Sequence, residues 1–214
     1  MLKRSVALSL LLFPSLGFAA GYADVPRDAW YAPALASLQA KGALDASQKN
    51  FRPGSPATRA EFLKLTLAVS GTAPQQPPLL QSFDDSAPDD WHYTTIEEAA
   101  RQSWVRGDGN CYGEHPCRAR PDDRISRAEA AVLITRIFVL EKTDAAPPFI
   151  DTIPDSWYSY GVQASADRCI LAGDPATGSV RPNDPVNRAE MAIMLDRVSK
   201  NQFYGKECGK MTPK

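Results

Sequence analysis

Arg59, Arg127 and Arg188 each open a stretch of helical character, each followed by Ala-Glu and preceded by a helix-capping residue, Thr58, Ser126 or Asn187. The first turn of a helix carries partial positive charge, so a cation there is unfavourable by roughly 0.3–1 kcal/mol. Something must compensate three times over. One candidate is an aspartate, Asp24, Asp85 or Asp151, pairing with the guanidinium within a repeat or from a neighbour. The other is an anionic ligand, because a guanidinium fork beside free helical N–H groups grips a carboxylate. These residues alone leave the choice open.

The arginines belong to a pattern written three times. Tyr22, Asp24, Trp30, Arg52, Pro53, Arg59, Ala60 and Glu61 correspond to Phe83, Asp85, Trp91, Arg120, Pro121, Arg127, Ala128 and Glu129. They correspond again to Phe149, Asp151, Trp157, Arg181, Pro182, Arg188, Ala189 and Glu190. Aspartate and tryptophan lie six residues apart and the two arginines seven apart in every copy, whereas tryptophan to Arg-Pro takes 22, 29 and 24 residues. Fixed halves joined by a variable middle indicate loop insertion inside a tandem repeat.

Each copy reads as helix, loop, helix. Trp30, Ala34, Leu35 and Leu38 recur at helical spacing, as do Trp91, Ile96, Ala99 and Ala100, and more weakly Trp157, Val162, Ala164 and Ala166. Gly42 suits a left-handed helix end, but its equivalents are Ser103 and Cys169, for which positive φ is costly, so those two ends are expected to close differently. In the second helices Thr58 with Glu61, Ser126 with Glu129, and Asn187 with Glu190 have capping-box spacing. Their apolar stripes are Phe62, Leu65 and Val69; Val132, Leu133 and Ile137; and Met191, Met194, Leu195 and Val198. Burying these stripes against one another predicts an all-α fold, a pseudo-threefold bundle with a central three-helix core and the first helices outside. The Pro-containing stretches 71–81 and 142–148 read as extended joints within one assembly. Burial tendencies place the tryptophans in the core, and Tyr22, Phe83 and Phe149 as core seals.

The chain resembles the S-layer homology domains, which occur in threes with an aromatic-x-Asp opening, a Trp near the first helix and a Thr-Arg-Ala-Glu motif opening the second. The motif reads Thr58-Arg59-Ala60-Glu61, Ser126-Arg127-Ala128-Glu129 and Asn187-Arg188-Ala189-Glu190, and the repeats run over 20–71, 82–141 and 148–200. The resemblance implies a non-catalytic module that anchors an exported protein to a pyruvylated cell-wall polysaccharide or to peptidoglycan. It also implies that Arg59, Arg127 and Arg188 lie in inter-repeat grooves and bind the ligand's carboxylate. Trp30, Trp91 and Trp157 would then face a sugar ring, and Asp24, Asp85 and Asp151 would accept from hydroxyls or orient the arginines. Glycines of the loop after the first helix are Gly107 and Gly173; Ala46 stands there in repeat one, so two working grooves of three are expected. On this basis changing Arg127 and Arg188 to Ala weakens wall binding without unfolding. Since only fourteen residues follow Lys200, a self-assembling envelope protein is the other expectation.

Residues 1–19 read as a signal peptide, with Lys3 and Arg4 ahead of an apolar run too short for a membrane span and interrupted by Pro14. The remainder is expected to be exported to the cell wall, cell surface or periplasm. Of 24 lysines and arginines, 22 then remain against 25 acidic residues, without a basic cluster, which argues against nucleic acid. Four cysteines suit an oxidising compartment. A Cys111–Cys117 bridge would pin the insertion of repeat two and a Cys169–Cys208 bridge would tie down the tail, 201–214. Cys111, His115 and Cys117 have spacings unlike a zinc site, so no metal and no cofactor is expected. His92 and His115 fall in no nucleophile–base pattern, and His92 reads as a solvated residue at a helix start.

Overall fold

The computed structural model of the protein describes residues 21–78, 80–108, 111, 117–143 and 149–200. The expected signal peptide, the C-terminal tail with Cys208, and His115 lie outside them. All regular elements among the described residues are helices: α1 Ala32–Ala40, α2 Arg59–Ser70, α3 Tyr93–Arg101, α4 Arg127–Ile137, α5 Ser159–Asp167 and α6 Arg188–Ser199.

The capping boxes start α2, α4 and α6. Thr58, Ser126 and Asn187 each accept the backbone N–H of the glutamate three residues on, at 3.2, 3.2 and 2.9 Å. Each glutamate reaches back to the capping residue's own N–H at 3.0, 2.9 and 3.0 Å. The ends of the first helices depart from expectation. Ser103 and Cys169 adopt φ of 59° and 56°, beside 69° for Gly42, so all three helices close alike. In each case the residue's N–H and the next one return to the last turn, as in Ser103 to Ala100 at 2.8 Å and Trp104 to Ala99 at 2.9 Å. These bonds offset the left-handed strain, roughly 1–2 kcal/mol for a residue with a Cβ.

The helices are exchanged around the assembly. α3 packs on α2, α5 on α4 and α1 on α6, so each first helix lies against the second helix of the preceding copy, the first copy closing onto the last. α2 also touches α4 and α6. The apolar stripes of the second helices, Val69 partly excepted, are buried as anticipated. Beside them the segments entering the second helices form a closed ring. Ala57 N–H donates to Val186, Val186 to Ile125 and Ile125 to Ala57, at 2.9, 2.9 and 3.0 Å. All three residues are fully buried, so the ring can form only when all three segments meet.

The first joint is held, not loose. The Gln75 N–H donates to Glu98, the Tyr93 hydroxyl to the Pro78 carbonyl, and Ser82 to Glu97 through N–H and Oγ at 2.7 and 2.6 Å. Two placements run against the sequence. His92 is buried, its Nδ1 3.3 Å from Ser86 Oγ, in the place that Tyr31 and Tyr158 fill in the other copies. Trp30, Trp91 and Trp157 are 52, 55 and 63% exposed, so they are not core. Each turns outward at the start of its helix and presents its edge or face to the following ring, 5.3–5.4 Å away.

Candidate functional site at the seams between repeats

The compensation for the first-turn arginines comes from the next copy and not from the aspartates. Arg59 donates through Nη1 to Glu129 and through Nε to the Ala119 carbonyl, both at 3.0 Å. Arg127 meets Glu190 at 3.1 Å and the carbonyls of Val180 and Ala172 at 2.6 Å. Arg188 closes the cycle on Glu61 and the Phe51 carbonyl, at 2.6 and 2.7 Å, with its guanidinium 4.9 Å from the Phe51 ring centre. Each capping-box glutamate thus does two jobs. One oxygen caps its own helix and the other neutralises the arginine of the preceding copy.

Burial pulls the guanidinium pKa of Arg59 and Arg127 down, against the opposing pull of Glu129 and Glu190. Burial also raises Glu129, but the Ser126 N–H and Arg59 outweigh it and leave the carboxyl below its ordinary value. Arg59–Glu129 is therefore an ionised tie in a half-dry seam. Breaking it strands the surviving partner in that seam.

Asp24, Asp85 and Asp151 do not pair with these arginines. Each grips two successive backbone N–H groups at the Arg-Pro turn: Phe51 and Arg52, Ala119 and Arg120, Val180 and Arg181, all at 2.7–2.8 Å. Those turns hold Arg52, Arg120 and Arg181 at φ of 59°, 54° and 53°, and the carboxylate clamp keeps them there. For Asp24, burial works upward and the two N–H donors downward, and the donors win. The helix N–H groups are also spent. Those of Arg59 and Ala60 donate to Asp123 and Pro121, those of Arg127 and Ala128 to Asp184 and Pro182, and those of Arg188 and Ala189 to Ser55 and Pro53. What remains for a ligand is guanidinium. Arg127 commits three of its five N–H groups and Arg59 two.

Two cavities open over these arginines, and their walls correspond position for position. The one over Arg59, about 410 Å³, has Arg120, Glu129, the run 104–108, then Val132, Leu133 and Arg136, with Trp157 at its rim. The one over Arg127, about 300 Å³, has Arg181, Glu190, the run 170–174, then Ile193, Met194 and Arg197, with Trp30 at its rim. In both, the arginine comes from one copy, the wall from the next and the tryptophan from the third. Gly107 and Gly173 sit in these walls, and their smallness has a local cause. A Cβ on either would come within 2.8 or 2.5 Å of Phe83 or Phe149, the aromatic that opens the same copy.

The third seam differs. Counted along the repeat, Arg188 would look onto Ser47 in place of Asp108 and Asp174, and onto Ala68 in place of Arg136 and Arg197. Lys64 replaces Val132 and Ile193, and its ammonium lies 5.3 Å from the centre of the Trp91 ring. Trp91 lines neither of the two cavities.

Sequence reasoning missed Trp104, Arg136 and Arg197 and used Arg120 and Arg181 only as spacing marks. The fixed seven-residue interval from Arg120 and Arg181 to the next arginine was the signal. The Cys111–Cys117 disulfide is formed and lies beside Gly107. Cys169 is also disulfide-bonded, while its expected partner Cys208 lies outside the described residues. No cluster of metal-ligating side chains occurs among the described residues.

Interlocked helical copies thus leave arginine-floored grooves at two of their seams. Residues 21–63 and 148–192 match the S-layer homology domain, a non-catalytic module that attaches exported proteins at the cell surface. The middle copy lies outside both matches, yet it repeats the aspartate clamp, capping box and arginine tie of its neighbours.

The chain is 23% identical over 175 residues to an amylopullulanase of Thermoanaerobacterium thermosulfurigenes, 79% of this chain and 9% of that protein. It is 24% identical over 176 residues to the exoglucanase XynX of Acetivibrio thermocellus, 79% of this chain and 15% of that protein. An endo-1,4-beta-xylanase A of Thermoanaerobacterium saccharolyticum is 28% identical over 110 residues, 51% of this chain and 9% of that protein. The chain therefore spans only a small part of the length of these relatives. No helix among the described residues is long and apolar enough to cross a membrane.

Proposed function

We propose that the chain is a three-repeat wall anchor, a pseudo-threefold assembly of copies 20–71, 82–141 and 148–200. Two of its seams bind an acidic, pyruvylated cell-wall polysaccharide or the acidic groups of peptidoglycan, and it performs no catalysis. The observation that carries this reading is the pair of matching cavities, each uniting a guanidinium floor with an exposed tryptophan rim. A carboxylate would meet the uncommitted N–H groups of Arg59 or Arg127, and Trp157 or Trp30 would cover an apolar sugar face. The seam at Arg188 and Trp91 would be the idle one, since Lys64 already occupies the indole face. Gly107 and Gly173 serve by admitting the aromatic that shapes each wall, and Asp24, Asp85 and Asp151 by fixing the Arg-Pro turns. Residues 1–19 would be removed on export, and Cys169 would pair with Cys208.

Co-sedimentation of the oxidised protein with cell walls from its own source, before and after mild acid strips the accessory polysaccharide, tests the reading. Binding lost on stripping identifies the polysaccharide as ligand, and binding retained identifies peptidoglycan. No binding to either rejects the anchor and leaves a self-assembling envelope component, which sedimentation of the free protein would reveal as large particles.

A further inference from the structure

The two cavities share a floor but not a charge balance. The cavity over Arg127 is lined by three arginines, Arg127, Arg181 and Arg197, against Asp174 and Glu190, a surplus of one positive charge. The cavity over Arg59 is lined by four, Arg59, Arg106, Arg120 and Arg136, against Asp108 and Glu129, a surplus of two. The added cation is Arg106, whose counterpart in the repeat is Ala172. Arg120 is answered by Glu129 and Asp108, each at 3.0 Å, and by Asp123 at 3.8 Å, and Arg59 by Glu129. Arg106 has no ion-pair or hydrogen-bond partner among the described residues. Arg136 donates to the Trp104 carbonyl at 3.2 Å, and its pKa is lowered by burial first, then by the like charges of Arg106 and Arg59. Arg136 thus faces like charge from both Arg106 and Arg59 in a groove whose lining carries more arginines than carboxylates. Two indoles, Trp104 and Trp157, stand in its wall where the other cavity has one, Trp30, and its volume is about 410 against about 300 Å³.

We infer that the two grooves are not interchangeable: the one over Arg59 selects a saccharide segment bearing two carboxylates, and Arg106 is the side chain that reads the second. The inference rests on the wall-anchor reading. The first carboxylate lies on the floor with Arg59, as in the other groove. The second closes the charge balance at the rim with Arg106, its sugar unit held between Trp104 and Trp157. The groove over Arg127, with Ala172 at the same place, takes a segment bearing one.

Two synthetic disaccharides test this by calorimetry, one carrying a single pyruvate ketal and the other the same ketal with a hexuronate as its second unit. The native protein is expected to bind the dicarboxylate about tenfold more tightly at one site, the worth of one charge-assisted contact. Arg106→Ala should bring the ratio between the two probes close to one. Ala172→Arg, at an exposed position, should raise the number of dicarboxylate-preferring sites from one to two. Equal binding of both probes, or a preference that survives Arg106→Ala, overturns the inference and leaves the anchor intact. Failure of both probes while wall binding persists overturns it too. Failure of both probes together with loss of wall binding removes the anchor reading as well.

Discussion

Arg127 and Glu190 meet at 3.1 Å across the seam between the second and third copies, and Glu190 at the same moment caps the helix that carries Arg188. Arg188 in turn ties to Glu61 and Arg59 to Glu129, so the three second helices are capped and linked in one cycle. The cycle explains why a cation is tolerated in the first helical turn three times. It also changes what an arginine substitution reports.

Arg127→Ala is expected to destabilise the fold by about 3–5 kcal/mol, because it strands Glu190 and leaves the Val180 and Ala172 carbonyls short of a donor. Wall binding by a variant lacking Arg127 and Arg188 therefore reports on the ligand only alongside a measurement of its stability. Glu190→Gln, which keeps the shape and loses the charge, should cost less. Urea unfolding of both variants and of the double variant measures the coupling, and additive effects would show that the pair contributes nothing as a pair.

The capping boxes were legible because they are local, a cap and a glutamate three residues apart in each copy. The arginine's partner was not. Opposite charge pointed to Asp24, Asp85 and Asp151, but each aspartate is taken by two backbone N–H groups 27 to 35 residues away, while the glutamate already credited as a cap has a second oxygen to give. The exchange of first helices between copies was hidden for the same reason, since amphipathic spacing says that a face is buried and not against which copy. The tryptophans misled through burial tendency, which averages over proteins and carries no term for a rim built from three copies.

Ser103→Gly should stabilise the protein by up to about 1 kcal/mol. Ser103 holds φ of 59° at an exposed helix end, so removing its Cβ relieves strain without opening a cavity, partly offset by greater freedom of the unfolded chain. Thermal unfolding that shifts upward by a few degrees agrees with this; a downward shift would show that the Ser103 side chain does more than tolerate its backbone.

Acid should loosen the first joint before neutral or basic pH affects it. Glu98 is held at about 2, below its ordinary 4.5, first by hydrogen bonds from Arg101, against the opposing effect of burial, and then by Gln102 and the Gln75 N–H. A depressed folded pKa means that the unfolded chain takes up the proton first. The stabilisation is therefore complete above about pH 4.5 and is lost as pH falls towards 2. Asp24 and Glu129, also lowered, add to the same acid limb. Glu98→Gln should flatten that limb, with faster amide exchange over 75–82 at neutral pH. An unchanged acid profile would deny Glu98 its part.

Trp30, Trp91 and Trp157 occupy one position of the repeat and are about equally exposed, so their replacement by Ala should cost similarly little stability. Binding should separate them. Trp157 rims the cavity over Arg59 and Trp30 the cavity over Arg127, and each loss should weaken wall binding roughly three- to tenfold, the worth of one ring contact. Trp91, already faced by Lys64 at 5.3 Å, should change it by less than about twofold. Co-sedimentation of the three variants with walls, alongside their circular dichroism, makes the comparison. If Trp91→Ala weakened binding as much as Trp157→Ala, the third seam would be occupied too, and the division into two working grooves and one idle groove would fall.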